Sequence, residues 1–81
     1  MALRDELCRF IADRLLQDRD AVVDPEESLL DRGVMDSVGL LNLITFLETQ
    51  TGIRVPDDAM IPENFDTVVA MEQLVTDLRK S

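Results

Sequence analysis

The sequence predicts an all-α fold: a small four-helix bundle of three longer helices and one short helix, with a long first loop. Three observations carry this. Apolar residues recur at three- and four-residue steps in three separate segments, which is the period of a helix face and not of a strand. Gly33, Gly52, Pro25, Pro56 and Pro62 fall between those segments, where chain breaks belong. Residues able to cap a helix, Asp36-Ser37 and Asp66-Thr67, stand just before two of them. With 81 residues the chain has room for one domain, residues 1–81.

The first helix is predicted from Leu3 to Gln17. Leu3, Leu7, Phe10, Ile11 and Leu15 form its apolar stripe, with Asp5, Glu6, Arg9 and Asp13 opposite. Arg9–Asp13 and Arg14–Asp18 are candidate i,i+4 pairs. Cys8 lies at the edge of the stripe and reads as a packing residue, not a reactive thiol. A long connection follows, from Asp18 to Met35. Val22, Val23, Leu29, Leu30 and Val34 are expected to pin it to the core, since a bare loop of this length is unusual in a small domain. Asp18, Asp20 and Asp24 resemble a calcium loop only superficially, because Val23 stands where that loop needs Gly.

The second helix is predicted from Ser37 to Thr51, ending at Gly52, a residue suited to the left-handed cap position. A short turn or helix is expected at Pro62–Phe65. The last helix follows Asp66-Thr67, either of which can cap it, with Val68, Met71, Leu74, Val75 and Leu78 as its stripe.

Composition excludes much chemistry. The chain has no His, one Cys and a net charge of −9. Without His there is no Ser-His-Asp or Cys-His nucleophile system and no zinc site of the usual kinds. A single Cys forms no internal disulfide and fits a reducing cytoplasm. The acidic balance argues against nucleic acid, and no apolar run approaches the ~20 residues that span a bilayer. Met1-Ala2-Leu3-Arg4-Asp5-Glu6 lacks the pattern of a signal peptide, and Met1 reads as the chain's own start. Residues 24–72 hold eleven acids against Arg32 and Arg54, whereas residues 1–23 hold five acids against four arginines. Such a surface either keeps the protein soluble or steers basic partners.

The most informative segment is Gly33-Val34-Met35-Asp36-Ser37-Val38. One helix needs one cap. If Asp36 fills it, Ser37 stands at the first helical position with its hydroxyl free, and Met35 and Leu40 are spaced as a hydrophobic staple. A phosphate on that hydroxyl would meet the unpaired N–H groups and positive end of the helix. The alternative is that Asp-Ser is a redundant cap. On the helical wheel Leu40, Leu43, Ile44 and Leu47 form the core face, with Phe46 at its border. Gly39, Asn42, Thr45, Thr49, Val38 and, at the margin, Leu41 point away. Gly39 costs about 1 kcal/mol relative to Ala in a helix but permits close approach. These residues form a docking patch or, equally, scattered exposed side chains that need no explanation.

At this point the sequence resembles the acyl carrier protein family. Gly33-Val34-Met35-Asp36-Ser37-Val38 with Leu40-Leu41 and Leu47-Glu48 resembles the family's phosphopantetheine attachment region. Leu29-Leu30-Asp31-Arg32-Gly33, Gly52-Ile53-Arg54-Val55-Pro56-Asp57 and Asn64-Phe65-Asp66-Thr67-Val68 extend the likeness over nearly the whole chain. The resemblance implies that Ser37 receives 4′-phosphopantetheine from coenzyme A through a phosphopantetheinyl transferase. The arm's thiol would then hold an acyl or aminoacyl group as a thioester. Partner recognition would fall to Asp36, Val38, Gly39, Leu41, Asn42, Thr45 and Glu48. The implied partners are an acyl- or aminoacyl-activating ligase and downstream acyltransferase, condensing or tailoring enzymes. The chain would be a monomeric cytoplasmic carrier and no enzyme itself.

The departures bear on subtype. The family usually reads Asp-Ser-Leu, where Val38 stands here. Fatty-acid carriers usually have acids at the positions of Gly39 and Asn42, so charge would come from the loops, through Glu26, Glu27, Asp31, Asp57 and Asp58. The Asp-Ser-Val-Gly start and the Ile61–Phe65 stretch look more like stand-alone D-alanyl, aminoacyl or peptidyl carriers loaded by adenylating ligases. A fatty-acid or polyketide carrier is the alternative, and a non-enzymatic acidic helical adaptor a remoter one. An enzyme has as its best case the adjacent acids Asp57 and Asp58, which in a loop are ordinarily solvated charge.

Overall fold

The computed structural model describes residues 2–80; Met1, read above as the chain's start, lies outside them. It is all-α, with no strand among the described residues. The first helix, α1, spans Leu3–Phe10 and passes into a five-residue π turn at Ile11–Leu15. A short α2 spans Leu29–Arg32, α3 spans Ser37–Thr51 and α4 spans Val68–Lys80. Single 3-10 turns at Asp57–Ala59 and Pro62–Phe65 lie between α3 and α4.

The core is the meeting of the periodic stripes. Leu7 and Ile11 from α1 and the π turn, Leu43, Ile44 and Leu47 from α3, and Val68, Met71 and Val75 from α4 are all buried. Leu29, Val55 and Phe65 close it from the connections. Phe46, at the border of the α3 stripe, is half-buried and stacks on Phe10 with ring centroids 4.3 Å apart. Leu40, expected on the core face, is half-buried and packs against the core.

The first helical segment ends at Leu15, two residues short of the predicted Gln17, and it is not regular. The Leu16 N–H closes on the Ile11 carbonyl at 2.9 Å, one residue wider than an α turn. The chain then leaves through Gln17, the non-glycine residue at φ +54. Of the two expected ion pairs on this helix, Arg14–Asp18 gives way to a different arrangement. Asp13 takes Arg19 at 3.3 Å and Arg14 at 3.7 Å, and Asp18 accepts the Asp20 N–H. These are exposed pairs of small energetic weight.

The first loop departs most from expectation. It contains α2, which begins at Ser28, whose hydroxyl accepts the Asp31 N–H, and ends at Gly33 with φ +74. Only Leu29 is fully buried; Val23 and Val34 are half-buried. Leu29, Val23 and Val34 pin the loop to the core as expected, whereas Val22 and Leu30 are exposed and polar contacts share the anchoring. Asp66 Oδ1 accepts the Ser28 hydroxyl and the Leu30 N–H, and its carbonyl accepts the Leu29 N–H. The Pro25 carbonyl accepts the Val69 N–H. The cap of α4 itself is Thr67, whose Oγ1 accepts from Ala70 N at 2.9 Å.

Candidate functional site

The end of α2 delivers the chain to the start of α3. Gly33 turns it in the left-handed region, and the Val34 N–H bonds back to the Leu29 carbonyl. Asp36 is extended and caps α3: its Oδ1 accepts the Gly39 N–H at 2.6 Å, and its carbonyl accepts the Leu40 N–H. Asp36, and not Ser37, therefore fills the cap. Ser37 is the first helical residue and is exposed, and among the described residues its hydroxyl makes no hydrogen bond.

A phosphodiester fits this position. The cap uses the Gly39 N–H and leaves those of Ser37 and Val38, at the positive end of a 15-residue helix, to face an anion. Asp36 is close by, but its carboxylate is bound to that helix end. No imidazole exists to activate the serine, so a His-assisted nucleophile is ruled out here.

Beyond Asp36, the exposed side chains of α3 next to Ser37 carry no charge. Val38 is 65% exposed and Leu41 61%. Asn42 and Thr45 are exposed beside them. Gly39 and Glu48, both expected to take part in partner recognition, are not on this face. Gly39 is buried, because the end of the π turn packs on it. Glu48 is half-buried and its Oε2 accepts the Val55 N–H at 2.9 Å, so its carboxylate serves the fold. Among the loop acids, Glu26, Asp31, Asp57 and Asp58 are exposed, whereas Glu27 is paired with Arg32 at 2.7 Å.

Sequence reasoning missed Leu30, an exposed apolar residue on α2 just upstream of the site, by assigning it to the core. It also missed Asp66 as the anchor of α2. The available signal was that Asp66-Thr67 supplies two cap residues for one helix. Two open grooves lie away from Ser37: one of about 590 Å³ against Phe10 and Phe46, the other of about 900 Å³ beside Ile53, Met60 and Leu78. Among the described residues no cluster of three or more His, Cys, Asp or Glu could hold a metal ion. Among the described residues no helix is long and apolar enough to cross a membrane.

Comparison with known proteins bears on the same segment. Residues 5–75 match the model of the family described as phosphopantetheine attachment site. The D-alanyl carrier protein of Streptococcus sanguinis (strain SK36) is 32% identical over 81 residues, covering 100% of both chains. That of Streptococcus mutans serotype c is 30% identical over the same span. That of Streptococcus pyogenes serotype M5 is 37% identical over 79 residues, 98% of each chain.

Proposed function

This chain belongs to the phosphopantetheine attachment-site family, and from that premise we propose that Ser37 is the residue that bears the arm. The protein is a carrier and not a catalyst, and its cofactor is 4′-phosphopantetheine. When bound, the cofactor supplies a thiol that holds the cargo as a thioester. The protein's own residues do the rest. Asp36 caps and orients the turn, Ser37 presents the hydroxyl, and Val38 and Leu41, with Asn42 and Thr45, meet partner enzymes. The observation that carries this reading is the division of labour at the cap, which leaves Ser37 exposed and without a hydrogen bond among the described residues.

The cargo we assign is an aminoacyl group, and D-alanine first, because the named relatives are D-alanyl carriers. The loading enzyme is then an adenylating ligase and the place of work the cytoplasm, with residues 1–81 acting as one carrier unit. The test is intact-protein mass after incubation with coenzyme A and a broad-range transferase. The wild type gains one phosphopantetheinyl group and Ser37→Ala gains none. An unmodified wild type beside a labelled control carrier, or labelling that survives Ser37→Ala, sinks the assignment. The loaded protein is next offered D-alanine with ATP and a D-alanine-activating ligase, or a fatty acid with ATP and an acyl-activating ligase. Charging with the fatty acid alone overturns the cargo.

A further inference from the structure

Gly39 lies two residues beyond Ser37, in the first turn of α3, and is buried from inside the molecule. A Cβ at Gly39 would stand 2.9 Å from Cδ2 of Leu15, 3.2 Å from Oδ1 of Asp36 and 3.5 Å from the Val34 carbonyl oxygen. Gly39 is also the donor to Asp36 at 2.6 Å. One backbone position is thus touched by the last residue of the π turn, by the cap and by the chain entering the cap.

We infer that Leu15 is a positioning residue for Ser37, acting through the bare backbone of Gly39; this rests on the assignment of Ser37 as the attachment residue. The Leu15 methyl group takes the space that a side chain at position 39 would fill. It sets how closely the first turn of α3 approaches the end of α1, and it packs beside the Asp36–Gly39 hydrogen bond. Ser37 opens that turn with no hydrogen bond of its own hydroxyl among the described residues, so its orientation is inherited from the turn. Glycine is a poor helix former, and here its lack of a side chain serves an inward contact.

The test is transferase kinetics with the carrier as varied substrate, for the wild type, Gly39→Ala, Leu15→Ala and the double variant. Labelling of the wild type and its loss in Ser37→Ala check the underlying assignment separately. Gly39→Ala should lower kcat about fivefold, because the Leu15 methyl and the Asp36 carboxylate must both give way. KM should hold, since Val38 and Leu41 remain exposed, and the thermal midpoint should fall only slightly, since the better helix propensity of Ala offsets part of the crowding. Leu15→Ala alone should also slow loading, yet in the Gly39→Ala background it should restore most of the loss. Leu15→Ala should speed hydrogen exchange of the Gly39 amide about tenfold without touching the α4 core amides. Wild-type loading by Gly39→Ala, two losses that merely add, or an unchanged Gly39 amide overturns the inference.

Discussion

The hydroxyl of Ser28 donates to Oδ1 of Asp66 at 2.7 Å, across 38 residues of sequence. The same oxygen accepts the Leu30 N–H at 2.9 Å, and the Asp66 carbonyl accepts the Leu29 N–H at 2.7 Å. Ser28 in turn caps α2 through the Asp31 N–H. The short helix that leads into the Ser37 site therefore hangs from the entrance of α4.

Removing the Asp66 carboxylate should loosen that suspension. Asp66→Ala leaves the Ser28 hydroxyl and the Leu30 N–H without their acceptor, a loss of about 2 kcal/mol. Asp66→Asn keeps one acceptor oxygen and should lose less. Urea denaturation of the two variants beside the wild type measures the difference, and equal stability of Asp66→Ala and the wild type would refute it.

Asp36 combines a cap with a charge, and the two can be separated. Asp36→Ala should cost about 1 kcal/mol, the usual weight of a lost cap. Asp36→Asn should hold stability within a few tenths of a kcal/mol, because Asn caps as well as Asp. If the transferase reads the charge, Asp36→Asn loads slowly while melting like the wild type. Paired melting and loading assays decide this.

Val38→Asp tests the apolar face. The residue is 65% exposed, and an acid in the first turn suits the helix dipole. Stability should therefore change by no more than about 0.5 kcal/mol. Transfer to and from partner enzymes should fall markedly, with little relief from added salt. A large drop in thermal midpoint would instead mean that Val38 packs inside.

Cys8 should be chemically quiet. Its thiol donates to the Val23 carbonyl at 3.6 Å, and burial pushes its pKa above the ordinary thiol value. Folding thus favours the protonated thiol. Its contribution to stability is complete below the unfolded thiol pKa and is lost as pH rises through that value toward the folded one. Maleimide at pH 8 should label the arm thiol of the loaded protein well before Cys8, read by peptide mapping. Cys8→Ala should remove part of the loss of stability between pH 8 and pH 10.

Much of the fold was legible because it rests on local rules. The stripes of α1, α3 and α4 repeat at helical spacing, and their central members, Leu7, Ile11, Leu43, Leu47, Val68, Met71 and Val75, are the buried ones. Gly52 ends α3 at φ +72, as a glycine cap should. The loop between α1 and α3 was less legible. Its anchoring uses hydrogen bonds to Asp66 and Val69, and such long-range polar pairs leave no periodic trace. Val22 and Leu30 were assigned inward for want of that information.

Two dipeptides show where the division falls. Asp36-Ser37 and Asp66-Thr67 each offer two cap residues to one helix, and both pairs were visible in the sequence alone. At the second pair Thr67 caps α4, and the spare residue, Asp66, turns to α2. At the first pair Asp36 caps α3, and the spare residue, Ser37, faces solvent. The sequence by itself determined the all-α class, the bounds of α3, the start of α4 and the candidate serine, because capping and amphipathic period act over a few residues. Only the tertiary structure decided which spare residue was consumed. It also decided that Gly39 faces Leu15 and not a partner, because both outcomes depend on what the rest of the chain brings alongside.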